Sequence, residues 1–185
     1  MNVALIGGSF NPPHVGHLLA ALYVRATQDV DEVWLMPAFR HPFGKEMVGF
    51  EDRLRMCELL CEEVSRWLKV SAVEREAGDE GFTVQTLEFL VRRYAAHRFT
   101  LVIGSDIVED LPGWKDFDRI RQLARVLVLH RAGHPAAEAV GPPLALVSST
   151  EVREALLRGE EPVALVPRAV LSYARAHRLY AATEG

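Results

Sequence analysis

Apolar residues along this chain fall into two recurring patterns. Val3–Ile6, Glu32–Met36, Leu68–Val73, Thr100–Ile103, Val126–Leu129 and Leu144–Val147 are short runs rich in branched aliphatic side chains. Several leave no face for water, so they read as strands covered on both sides. Between them, apolar positions recur at helical spacing over 17–28, 50–67, 83–97 and 114–123. After Val147 the pattern is helical again, over 149–158 and then 167–178, with Pro167 suited to a first turn. Buried strands joined by helix-length crossovers predict an α/β fold: a Rossmann-like, doubly wound parallel sheet flanked by helices, with a C-terminal helical segment. No repeat, low-complexity run or linker divides the chain, so residues 1–185 are expected to form one domain.

Two stretches break the pattern. Residues 132–143, with three prolines and two glycines, read as a mobile surface connection. Residues 37–49 (PAFRHPFGKEMVG) carry aromatic and basic side chains and make a candidate substrate loop.

The first predicted strand runs into Gly7-Gly8-Ser9-Phe10-Asn11-Pro12-Pro13-His14-Val15-Gly16-His17. In an open α/β sheet, ligands bind beyond the carboxyl ends of the strands, which is where this segment must lie. Glycine permits unusual dihedrals and removes the Cβ that keeps a phosphate from the backbone. A helix starting near His17 would point free amides and a partial positive charge at an anion. His14 and His17 can donate hydrogen bonds to phosphate oxygens there. The spacing matches neither G-x-G-x-x-G nor G-x-x-x-x-G-K-[ST].

The last predicted strand leads into Val147-Ser148-Ser149-Thr150-Glu151-Val152-Arg153. Ser148 and Glu151 form a capping box, which leaves the other hydroxyls unexplained. Arg153 opposes the helix macrodipole unless a polyphosphate sits nearby. Both turns are expected on one edge of the sheet.

Composition narrows the options. The net charge of −4 excludes a broad basic surface for nucleic acid. Cys57 and Cys61, four apart in a predicted helix, suit two core thiols in a reducing compartment. No basic, apolar leader and no membrane-length run is visible, so the expected location is the cytoplasm, with no membrane partner. No metal-ligand cluster stands out, since His130 and His134 lack a carboxylate at ligand spacing.

The first motif resembles the G-[ST]-F-[DN]-P-x-H-x-G-H signature of the nicotinate/nicotinamide mononucleotide adenylyltransferases, within the H-x-G-H nucleotidyltransferase superfamily. Ser148-Ser149-Thr150-x-x-Arg153 is similar to that family's last motif. The resemblance implies adenylyl transfer from ATP to nicotinate mononucleotide (or nicotinamide mononucleotide), giving the dinucleotide and pyrophosphate in NAD biosynthesis. It implies catalytic roles for His14, His17 and Arg153, and ATP contacts at Gly7, Gly8, Ser9, Phe10, Gly104, Asp106, Ser149 and Thr150. It further implies that Trp114 stacks on the pyridine ring, that Thr83 meets the ring's carboxylate or amide, and that Lys45 lies near substrate phosphate. Mg²⁺ is expected, held mainly through ATP phosphates and water.

Each supporting position also has a local reading. Asp106 would cap a turn, Trp114 would be core, Thr83 would be an N-cap, and Arg131 would be a solvated surface residue. A pantetheine-phosphate adenylyltransferase, a cytidylyltransferase and a non-catalytic nucleotide sensor are the alternatives. The composition is compatible with a homo-oligomer.

Overall fold

The computed structural model describes residues 1–40, 44, 46–62, 64, 66–78, 81–145 and 147–181. The strands are β1 (Asn2–Gly8), β2 (Glu32–Pro37), β3 (Leu68–Val70), β4 (Arg98–Gly104), β5 (Arg125–Arg131) and β6 (Val140–Leu144). They form one six-stranded parallel sheet in the order β3-β2-β1-β4-β5-β6. That is the doubly wound order, and it reverses between β1 and β4, opening a crevice beyond their carboxyl ends.

The alternation of side chains along each strand divides the core in two. On one face, Ala4 and Ile6 of β1 pack against Val24 of α1 (Val15–Thr27), Met56 and Leu60 of α2 (Phe50–Glu62), and two C-terminal helices. On the other, Val3 and Leu5 meet Val73 of α3 (Val73–Ala77), Leu87 and Leu90 of α4 (Thr83–Arg93) and Ile120 of α5 (Phe117–Leu123). The C-terminal pair is α6 (Ser149–Leu157) and α7 (Arg168–Ala176). Cys57 and Cys61 are free and buried in the first of these cores, where burial pushes the Cys61 thiol up to about 12.

Three elements depart from the sequence pattern. The sixth strand is Val140–Leu144, not Leu144–Val147, and it lies largely exposed at the sheet edge with Pro142 and Pro143 inside it. An edge strand tolerates prolines because its outward amides have no ladder to join. A 3-10 segment, Ser105–Gly113, precedes a shorter α5 than the pattern suggests. The short helix α3 lies where the third strand was expected to end. No helix among the described residues is long and apolar enough to cross a membrane.

Candidate active site

A cavity of about 1120 Å³ opens at the reversal point of the sheet. Gly7 and Gly8 of β1, Gly104 of β4 and Arg131 of β5 contribute its floor. Its volume slightly exceeds the usual range for a single small ligand, which suits two nucleotides side by side.

Gly7 and Gly8 do not take the unusual dihedrals expected of them. They continue β1 in register with Met36 and Pro37, and the left-handed residue of the turn is Phe10, at φ 47°. What the glycines supply is bare backbone beside the cavity. Ser9 also borders it. Phe10 is wholly buried, its ring 4.6 Å from that of His17, so its side chain braces the histidine from below.

Helix α1 starts at Val15, with His14 in the cap position and His17 in its first turn. The His14 amide donates to His17 Nδ1 at 3.1 Å, and the two imidazoles stack at 3.8 Å. Because Nδ1 accepts, the proton of a neutral His17 ring sits on Nε2, and His17 borders the cavity. Burial, with the Arg131 charge second, lowers His14 to about 4. Burial, then the charges of His14 and Arg131, also holds His17 well below the ordinary imidazole value. Both rings are therefore neutral near pH 7. Gly16 is required here: a Cβ would come within 3.0 Å of the His14 ring.

The late motif meets the early one directly. Ser149 Oγ donates to the Pro12 carbonyl at 2.9 Å across 137 residues. The Arg153 guanidinium donates to the Asn11 carbonyl at 2.7 Å and to Thr150 Oγ1 at 3.1 Å. Both partners are neutral, so the guanidinium keeps its charge for an anion. Ser148 caps α6 by accepting from the Glu151 amide, which is the serine half of the expected capping box. Ser149 and Arg153 thus bond the backbone of the first turn beside the cavity, whose lining includes Gly7, Gly8, Ser9 and His17 but not Ser149, Thr150 or Arg153.

Gly104 and Asp106 border the cavity, with Asp106 Oδ1 3.8 Å from Arg131 Nε. A Cβ on Gly104 would collide with the Asp106 carboxylate and lie 3.1 Å from Arg131 Cγ. Thr83 and Trp114 also border the cavity. Thr83 is the first residue of α4 and Phe82 takes the cap position, so the N-cap reading of Thr83 does not hold. Trp114 packs edge-on against Phe117 and keeps part of its surface in the cavity. Lys115 Nζ lies 4.3 Å from the Phe82 ring centroid beside it. Lys45 lies outside the described residues.

Arg131 was expected at the surface, yet it is mostly buried and borders the cavity. Its place at the carboxyl end of a strand was the signal that pointed to it.

The cytidylyltransferase-like family model matches residues 5–155. A relative from Myxococcus xanthus is 61% identical over 97% of this chain and 95% of its own length. One from Anaeromyxobacter dehalogenans is 51% identical, covering 96% of each chain. Both bear the name "Probable nicotinate-nucleotide adenylyltransferase". Among solved structures, the Plasmodium falciparum nicotinic acid mononucleotide adenylyltransferase complexed with NaAD superimposes with a TM-score of 0.81 over 97% of both chains. At 15% identity that match speaks for the fold alone. Near-complete coverage by such relatives, on a sheet that joins the glycine–histidine turn to the hydroxyl–arginine turn, places this chain in the cytidylyltransferase-like family, among the nicotinate-nucleotide adenylyltransferases.

Proposed function

We propose that the chain transfers the adenylyl group of ATP to nicotinate mononucleotide. A phosphate oxygen of the mononucleotide attacks the α-phosphorus, the bond from that phosphorus to the bridging oxygen breaks, and pyrophosphate departs. The product is the deamido form of NAD. The observation that carries this reading is the union of the two turns beside a cavity that Thr83 and Trp114 also border.

No covalent nucleophile is needed, so catalysis consists of positioning and charge stabilisation. The His17 Nε2–H donates to the α-phosphate as charge builds there, and the backbone at Gly8–Phe10 with the α1 N-terminus assists. His14 holds His17 in its tautomer through its amide, and its own ring is buried beneath that of His17 rather than on the cavity lining. Arg153 and Thr150 hold the departing β- and γ-phosphates. Asp106 and Gly104 border the nucleotide, Trp114 stacks on the pyridine ring, and the Thr83 hydroxyl with the α4 amides receives its carboxylate. Names of the relatives support nicotinate as the acceptor.

Mg²⁺, when bound with ATP, neutralises charge on the phosphate oxygens. Among the described residues no three His, Cys, Asp or Glu side chains gather to cage a metal, while Asp106 borders the cavity. Asp106, a carboxylate on the cavity, would bond the water shell of an ion carried in by the phosphates. A reducing cytoplasm belongs to the same reading, supported by the free thiols of Cys57 and Cys61.

The test is pyrophosphate release from ATP-Mg with nicotinate mononucleotide, nicotinamide mononucleotide and phosphopantetheine in turn. The nicotinate acceptor should give the highest kcat/KM. Preference for another acceptor would reassign the substrate, and ATP binding without pyrophosphate from any of them would make the chain a sensor.

A further inference from the structure

Arg53 heads the largest wholly buried side chains, at 1% exposure. A charge in that position needs hydrogen bonds to repay its lost water. Among the described residues its acceptors are three main-chain carbonyls: Val48 at 2.9 Å from Nε, and Ser9 at 3.0 Å and Ala38 at 2.7 Å from one terminal nitrogen. The three belong to separate segments. Ser9 lies in the turn that faces the α-phosphate, and Ala38 and Val48 stand near the two ends of the 37–49 loop.

The partners of those same peptide groups complete the pattern. The Ala38–Phe39 peptide gives its carbonyl to Arg53, and its N–H donates to the Glu74 carboxylate at 3.1 Å. Val48 gives its carbonyl to Arg53, and its N–H donates to Asn11 Oδ1 at 3.2 Å. Each anchor of the loop is thus gripped through both of its polar groups. Glu74 and Ala38 both border the cavity, at the side of Phe82 and Thr83.

We propose that Arg53 and Glu74 are positioning residues that lock both anchors of the 37–49 loop to the phosphate-facing turn and thereby shape the acceptor end of the cavity. Neither residue touches the reacting atoms. Glu74 governs the acceptor side alone, whereas Arg53 also fixes Ser9 and so acts on both substrates. This rests on the adenylyl-transfer reading for its kinetic consequence, although the lock itself does not depend on which substrates bind.

Two measurements separate these levels. Hydrogen exchange on the substrate-free protein reads the lock directly. Glu74→Ala should speed exchange of the Phe39 amide, and Arg53→Lys that of the Phe39 and Val48 amides, by on the order of tenfold, with β4 and β5 unchanged. Glu74→Gln keeps an acceptor oxygen and should leave those amides near the natural rate. In steady-state kinetics, Glu74→Ala should raise KM for nicotinate mononucleotide by on the order of tenfold and leave KM for ATP within about twofold. Glu74→Gln should restore the natural value. Unchanged exchange at Phe39 and Val48 in both disrupted variants would overturn the proposal. So would a Glu74→Ala variant that exchanges faster everywhere, or one that weakens both substrates equally. If the natural chain releases no pyrophosphate, the activity is wrong and the exchange result still decides the lock.

Discussion

The His14 amide and His17 Nδ1 share a hydrogen bond of 3.1 Å, so the backbone of one histidine dictates the tautomer of the other. The consequence is a neutral N–H donor fixed before substrate arrives, whose alignment needs no reorganisation as charge develops. Gly16 between them leaves the room this contact requires.

Replacing His17 with Ala should lower kcat by roughly 10²–10³, a larger effect than the roughly 1 kcal/mol of folding stability that goes with its hydrogen bond to the His14 amide. Steady-state kinetics beside a melting curve checks this. An intact turnover number in a folded variant would remove His17 from the mechanism.

Acid should destabilise the fold through these rings. A free imidazole takes up a proton near 6.5, whereas His14 resists until about 4. Between those values the unfolded chain binds more protons, so stability falls as pH drops, by about 3 kcal/mol at the lower limit for His14 alone. Glu74 works in the opposite sense. Burial raises its carboxyl to about 7 from 4.5, so the folded chain holds that proton where the unfolded chain has released it, and stability rises as pH falls from 7 to 4.5. Melting temperatures from pH 4 to 8 should therefore show a flatter acid limb for His14→Gln and a steeper one for Glu74→Gln. Parallel curves for all three proteins would contradict both assignments.

Gly104→Ala should separate stability from binding. The added methyl meets a carboxylate that can swing aside, so the folding cost should stay within about 1 kcal/mol. That swing breaks the approach of Asp106 to Arg131, and KM for ATP should rise by on the order of tenfold. Denaturant titration and initial rates measure the two effects independently.

Tyr180 OH donates to Asn11 Oδ1 at 2.8 Å, and burial pushes its phenol above the ordinary range. Tyr180→Phe keeps the ring and deletes this bond, at a cost of about 1 kcal/mol in urea unfolding. A loss near zero would mean that water replaces the hydroxyl without penalty.

Strand and helix placement was legible because β1, β2, β4 and β5 are too apolar to face solvent and their crossovers have helical period. The edge strand β6 was not legible: its VGPPL sequence carries turn residues, and its pairing, Leu129 with Val140 and Arg131 with Leu144, comes from the fold rather than from any local pattern. The two motifs were readable as chemistry, since local helix capping explains Ser148 alone, and the partners of Ser149 and Arg153 are carbonyls 137 and 142 residues away. Arg53 was missed although it shares a helix face with Met56 and Cys57, where a charge is out of place. Glu74 and Asn11 gave less signal, because their importance lies in backbone groups brought from distant segments.

Asn11 and Tyr180 stand 169 residues apart, and their bond has a temporal consequence. On the ribosome the amino-terminal turn emerges first, but the side chain that completes its hydrogen bonding is synthesised only after the whole sheet. A chain cut before that tyrosine would keep the Val48 amide on Asn11 Oδ1 but lose the phenol, so the hydrogen bonding of the first turn waits on the far end of the fold.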